Sequence, residues 1–343
     1  MLLKVNNQAV SHLFQAFSSH FLRNFAPTRK EVKIPPHKLS EIAAIINAKA
    51  VGNSDHVISG LNEVHRVEAG DLMFVDHPKY YDKALQSAAT TILINKEVDC
   101  PPGKALLFSD DPFRDYNKLV RHFQPIHYSL QPISTTAAIG AGTVIHPNVY
   151  IGNNVTIGTN CLLMPGVVIY DNSVIGNNVT LHANAVIGGD AFYYKRRPDQ
   201  FDKMISCGRV VIHDDVEIGN CSTIDRGVSA DTVIGKGTKM DNHVHIGHDC
   251  WIGEMCLFAA HVGIAGVVKV GNNVTLWGQV GVGSALEIGD GAVVMGQSGV
   301  TRSLEGGKTY FGTPAEESRL KWRELAALRQ LPELLAEQRK IPE

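Results

Sequence analysis

Residues 241–249 read Asp-Asn-His-Val-His-Ile-Gly-His-Asp, three imidazoles framed by two carboxylates. An imidazole titrates near neutrality, so it can take a proton from an amine or a hydroxyl. A neighbouring carboxylate can hold its tautomer and steady the imidazolium. His248, with Asp249 beside it and Asp241 seven residues earlier, therefore has the makings of a general base. The same stretch supports a second chemistry. His243, His245 and His248, with His261, could offer nitrogen to zinc, although adjacent histidines on a flat strand need a partner chain to close a tetrahedron. A third reading is a polar outer face without chemistry, since the chain has 15 histidines and some must be ordinary surface residues. Spacing leaves all three open.

The element that must position these residues is a repeat. From Ile133 a large apolar residue recurs every six positions, through Ile139, Ile145, Ile151, Ile157, Leu163, Ile169, Ile175 and Leu181 to Ile187. The pattern resumes at Ile212, Ile218 and Ile224, slips by four residues, and runs from Ile234 to Val300. Six is not a helical period. A small apolar residue precedes many of the large ones by two, as at Val149, Val155, Cys161, Val244, Cys250 and Cys256. Two inward residues spaced by two make a short strand with one buried face. Gly or Asn then supplies the corner, because both tolerate positive φ. Stacked coils of such hexads form a parallel β-helix. This register turns Val244 and Ile246 inward and leaves His243, His245 and His248 outside or at a corner.

Three parts follow along the chain. Residues 1–125 read as an α/β domain from Leu39 onward, preceded by a 1–36 extension of uncertain order in which Val10, Leu13, Phe14, Phe17 and Phe21 could share a helical stripe. Within it, helices are expected over Leu39–Ala48, Tyr81–Ala88 and Asp115–Phe123. The β-helix spans 130–303. Its one interruption, 189–209, is aromatic and basic, and a long loop on a rigid scaffold is a natural carrier of binding residues. In 313–343, Thr313-Pro314-Ala315-Glu316 predicts a helix start with a capping box. Leu320, Leu325, Leu328 and Leu331 form an apolar stripe that Pro332 interrupts.

The net charge of -2 gives no support for nucleic acid or an anionic membrane as main partner. No apolar run approaches the roughly 20 residues of a membrane span, so no integral membrane segment is expected. Six cysteines without C-x-x-C spacing, and no export signal, suggest a reduced, cytoplasmic protein.

Three segments in succession carry a more specific resemblance: Ser222-Thr223-Ile224-Asp225-Arg226-Gly227, then Asp231-Thr232-Val233-Ile234-Gly235, then Asp241-Asn242 with Ile246-Gly247-His248. They are similar to the UDP-3-O-(3-hydroxyacyl)glucosamine N-acyltransferases of lipid A biosynthesis, within the hexapeptide-repeat acyltransferases. Gly70-Asp71-Leu72-Met73-Phe74-Val75 with Pro78-Lys79-Tyr80 resembles that family's uridine-binding domain. The likeness covers about residue 39 to the end.

It implies a left-handed β-helix with an N-terminal α/β domain and a C-terminal helix. It also implies a homotrimer with active sites between adjacent prisms. The family's catalytic histidine falls on His248 and its oxyanion donor, a backbone N–H, on Gly266. Asp241 and Asp249 are the candidates to orient the imidazole. Phe74 and Tyr80 fall on the uracil contacts, and His77 stands where an asparagine is common. Asp249 likewise replaces an asparagine, and Ala285 a second histidine found in some members. The implied reaction moves a 3-hydroxyacyl chain from acyl carrier protein to the 2-amine of a UDP-3-O-acyl-glucosamine. The phosphopantetheine arrives on the carrier, and no metal or other cofactor is needed. Arg302 and Lys308 are candidate contacts for the acidic carrier. The alternatives are an acyltransferase acting on another nucleotide sugar and a zinc protein like the γ-class carbonic anhydrases.

Overall fold

The computed structural model of the chain describes residues 33–125 and 127–338. The expected helical stripe between Val10 and Phe21 lies outside the described residues.

In the N-terminal part, a mixed six-stranded sheet runs in the order Lys33–Lys38, Val57–Leu61, Asp71–Val75, Thr91–Ile94, Ala105–Phe108, Lys49–Val51. The four central strands are parallel and the two edges antiparallel. Pro35 and Pro36 fit the edge strand, where a missing N–H breaks no interior ladder. Residues 33–36 are thus part of a strand rather than of an unplaced extension. The helix Leu39–Ile46 and the helix Pro112–Phe123 bury Leu39, Ile42, Phe113, Tyr116, Leu119 and Val120 with the sheet's Leu72 and Leu93. The second helix starts three residues before its expected start at Asp115. The Asp111 side chain accepts from the Arg114 N–H, and Pro112 occupies the first turn.

The second part is a left-handed parallel β-helix. Its hexad strands are two residues long for most of the prism and lie in three parallel sheets, one per face. Thr156 pairs with Ala138 below and Val174 above, so three hexads make one coil. The six-residue series is the core: Ile151, Leu163, Ile187, Ile224, Ile246, Ile264 and Leu276 are all buried in one cluster. Corners at Asn148, Asn154, Asn160, Asn172, Asn178 and Asn184 hold φ between 55° and 64°, the left-handed region that Asn tolerates.

Two departures from the repeat shape the molecule. The insertion forms an antiparallel hairpin, Tyr194–Arg196 with Phe201–Lys203. It lies on the N-terminal domain, where Asp202 accepts from Arg114 and Arg197, each at 2.8 Å, and its carboxyl is lowered to about 2, first by the Arg114 hydrogen bond. Asn117 closes the seam by donating to the Lys203 carbonyl and accepting from the Ile205 N–H. The second departure is the four-residue slip, which becomes the turn between the strands Thr223–Asp225 and Asp231–Ile234. Val228 from this turn and Ala191 and Met204 from the insertion are buried in the same cluster as Phe113 and Tyr116. The two parts of the chain therefore share a core.

At the C-terminus the expected capping box does not form. Thr313–Pro314 is a cis bond, and Glu316–Glu317 pairs antiparallel with Thr309–Phe311. The helix starts at Ser318, and the Glu317 carboxylate accepts the Arg319 and Leu320 N–H groups. It runs through Pro332 to Gln338 rather than breaking there. Trp322 stacks on Phe311 at 5.1 Å and ties the helix to the last coil. No helix among the described residues is long and apolar enough to cross a membrane.

Candidate active site

His248 stands two residues past the inward Ile246, at the corner between two faces of the prism. Asp249 follows it in the left-handed region, at φ 56°. That conformation turns the Asp249 carboxylate back beneath the ring, where His248 Nδ1 meets Asp249 Oδ2 at 2.8 Å. The Asp249 side chain is fully buried, and it is held from behind. Val228 N–H donates to Oδ2 at 2.8 Å and Ala230 N–H to Oδ1 at 3.2 Å. Both amides belong to the slip turn. An ionised carboxylate only accepts, so Nδ1 carries the hydrogen and Nε2 is left as the basic nitrogen.

Nε2 faces the next coil at Gly266. A methyl built there would sit 2.4 Å from Nε2 and 2.6 Å from Cε1, so only glycine lets the ring lie so close. The Gly266 N–H meets no acceptor among the described residues. The following Val267 is held at φ 65°, a strained value for a β-branched residue, by its N–H bond to the His248 carbonyl at 2.8 Å.

The hairpin and the N-terminal domain wall this corner. The Tyr193 ring stacks on His248 at 6.1 Å and 16°. Tyr193 meets Phe113 edge-on at 6.3 Å, and Phe113 meets Phe74 at 5.9 Å, so one aromatic series links the imidazole to the N-terminal domain. Asp225 faces the same corner; burial raises its carboxyl to about 6, and the His248 charge opposes the rise. From the N-terminal domain, Glu63 N–H donates to Ser229 Oγ at 3.0 Å and Arg66 Nη2 to the Asp249 carbonyl at 3.1 Å.

The expected site residues divide accordingly. His248, Gly266 and Asp249 come together. Asp241 does not join them: it sits at the preceding corner, where its carboxylate accepts the Asn242 N–H at 2.7 Å. Phe74 is half-buried against Tyr116 and Phe113, so much of its ring is spent on the core. Tyr80 is exposed, with Lys79 Nζ 5.5 Å over its ring. His77 Nδ1 accepts the Lys79 N–H at 3.2 Å and caps the short turn Pro78–Tyr80. Arg302 pairs with Glu316, and Lys308 with Glu305 at 2.6 Å, near the base of the C-terminal helix.

The four histidines of the zinc reading do not converge within the chain. His243 and His261 stack on each other at 4.9 Å on one edge, His245 meets Thr223 Oγ1 at 2.8 Å on a face, and His248 belongs to Asp249. Among the described residues, the group with metal-type spacing is Glu63, His65 and Asp249. Asp249 accepts three hydrogen bonds there.

The site residues missed by sequence reasoning are Tyr193, Asp225 and Glu63. The first lies in the aromatic insertion and the second in the quoted Ile-Asp-Arg-Gly segment, so each had a signal. Glu63 had none.

A left-handed prism of hexads, a histidine–carboxylate pair at its corner and an α/β domain docked beside that corner define a hexapeptide-repeat acyltransferase. The family model for bacterial hexapeptide transferases (six repeats) matches residues 154–189. The model for UDP-3-O-(3-hydroxymyristoyl) glucosamine N-acyltransferase matches residues 55–122, in the N-terminal domain. A UDP-3-O-acylglucosamine N-acyltransferase of Anaeromyxobacter sp. is 38% identical over 329 residues, covering 87% of this chain and 94% of the relative. One from Neisseria meningitidis is 37% identical and covers 68% of this chain and 74% of the relative. The crystal structure of a UDP-N-acetylglucosamine acyltransferase from Bacteroides fragilis is similar with a TM-score of 0.50 and 26% identity, over 55% of this chain and 73% of that one. The chain belongs to the UDP-3-O-acylglucosamine N-acyltransferase family.

Proposed function

We propose that this chain transfers a 3-hydroxyacyl group from acyl carrier protein to the 2-amine of a UDP-3-O-acyl-glucosamine, with His248 as the base. The observation that carries the mechanism is the orientation of His248: Nδ1 is engaged by a buried carboxylate, and Nε2 is turned to a glycine on the next coil. The amine attacks the thioester carbonyl. His248 Nε2 takes the proton released as the C–N bond forms. The Gly266 N–H, which has no acceptor among the described residues, donates to the oxyanion. As the intermediate collapses, the C–S bond breaks and the imidazolium returns the proton to the leaving thiolate. No metal and no redox group enters these steps.

The edge that carries His248 also suggests a path for the carrier's arm. Ile246, Ile264, Val282 and Val300 are in register, so the residues two positions on form a column: His248, Gly266, Ser284 and Arg302. Arg302 lies three coils from His248, about 14 Å at the usual strand spacing. Its guanidinium is well placed for the phosphate of a phosphopantetheine arm laid along that edge, with Lys308 nearby for an acidic carrier. Such an edge is a cleft only when a second prism faces it, which suits the homotrimer that the family resemblance implies. We place the enzyme in the cytoplasm, a reading supported by six unpaired cysteines.

A mass-spectrometric transfer assay tests the reaction directly. Carrier proteins loaded with 3-hydroxyacyl chains of several lengths are offered with UDP-3-O-acyl-glucosamine. The expected product gains one amide-linked chain; hydrolysis without transfer, or no reaction with any chain, overturns the assignment. Gly266→Ala should lower kcat at least tenfold, because the new methyl occupies the space between Nε2 and the proposed oxyanion donor. The His248 ring can swing away from a methyl, so the variant should fold, which a circular-dichroism melt checks.

A further inference from the structure

The catalytic pair has a neighbour that the reaction scheme does not use. An oxygen of Glu63, a ring nitrogen of His65 and an oxygen of Asp249 all lie within 4.8 Å of one another. Glu63 comes from the N-terminal domain, and its position is fixed. Its N–H donates to Ser229 Oγ, in the same turn whose Val228 and Ala230 amides hold Asp249. Arg66, three residues on, binds the Asp249 carbonyl.

We propose that Glu63 is a positioning residue for the acyl transfer, standing as a neutral acid beside the Asp249 carboxylate and tying the docked N-terminal domain to the strength of the His248 base. Two carboxyls this close, one fully buried and the other partly so, cannot both ionise cheaply, and Asp249 already accepts three hydrogen bonds. The proton therefore resides on Glu63, whose carboxyl is pushed up to about 8, first by burial and then by the Asp249 charge. Around Glu63 stand His65 and Arg66 on its own segment, Tyr116 on the helix Pro112–Phe123, Tyr193 and Cys207 on the insertion, and Asp249 on the prism. A second negative charge there would strengthen the hold on the imidazolium and slow return of its proton to the thiolate.

This inference rests on His248 as the base, and the experiment separates the two. Glu63→Gln preserves the shape and neutrality of the acid; Glu63→Leu puts an apolar side chain beside the Asp249 carboxylate. Glu63→Gln should keep kcat within about threefold, while Glu63→Leu should lose at least tenfold in kcat with little change in KM for the UDP-sugar. The proton itself is read from stability. The unfolded chain releases it near the ordinary value of 4.5 and the folded chain near 8. The wild type should therefore lose Tm relative to Glu63→Gln as pH rises through that window, and the gap should level off above it. Wild-type kcat in a folded Glu63→Leu, or a Glu63→Gln as slow as Glu63→Leu, overturns the proposal. So does stoichiometric metal in the wild type that Glu63→Gln loses. A fully active His248→Ala, by contrast, removes the base itself, whatever the Glu63 variants do.

Discussion

His248→Ala should reduce the kcat of acyl transfer by about 10²–10⁴-fold, the usual worth of a positioned general base. KM for the UDP-sugar should change little, because Phe74, His77 and Tyr80, the residues proposed to meet the uridine, lie on the other domain. The fold should survive. His248 is a corner residue outside the hydrophobic prism, and its ring meets one face of Tyr193, the Asp249 carboxylate and the backbone at Gly266. Steady-state kinetics with a thermal melt on the same preparation gives both readouts. A folded variant with wild-type kcat would mean that the substrate amine deprotonates without this ring, and the proposed chemistry would fail at its centre.

Asp249→Ala should be worse for the protein as a whole. The substitution removes the acceptor of two turn amides, at Val228 and Ala230, as well as the partner of Nδ1. Each buried donor left without an acceptor costs about 1–3 kcal/mol, so the two amides together cost on the order of 2–6 kcal/mol. That is a large share of a typical domain's stability. The turn also carries Val228 into the shared core and Ser229 to Glu63, so loosening it loosens the domain seam. Rate falls too, since an unanchored imidazole can flip or take the wrong tautomer. Asp249→Asn should be intermediate in both respects: its single oxygen can serve the imidazole or the turn, not all three donors. Urea titration and kcat on the same samples measure the two effects. An alanine variant as stable as the wild type would show that the turn does not depend on this carboxylate.

Part of this corner is legible in the sequence. The meeting of His248 with Gly266 is implied by the family resemblance and fits an 18-residue coil, whereas the choice between Asp241 and Asp249 stays open in the sequence. Asp241 was an equal candidate on composition, yet a shift of seven residues places it at the preceding corner of a triangle. Adjacency in sequence and adjacency around a prism are different things. The C-terminal helix starts at Ser318 and not at the expected capping box, because Glu316–Glu317 pairs as a short antiparallel strand with Thr309–Phe311. There, pairing with the last coil overrode a strong local signal.

The slip of four residues after Ile224 shows where sequence reasoning stops. As a break in a repeat it had no evident purpose. In the folded chain it is the turn that grips Asp249 and docks the N-terminal domain. Similarly, nothing local marks Glu63, which reaches Asp249 from 186 positions earlier in the chain.

The six-residue apolar period by itself determined a stacked parallel β-helix with the histidines outside its core, because each hexad can bury its inward pair only against its neighbours, while the left-handed three-sided coil came with the family resemblance. Tertiary structure decided which carboxylate serves the His248 imidazole, and which groups from the insertion and the N-terminal domain enclose it. Periodic burial is written in nearest-neighbour spacing along the chain, whereas the enclosure depends on long-range packing between surfaces whose contacts leave no periodic trace.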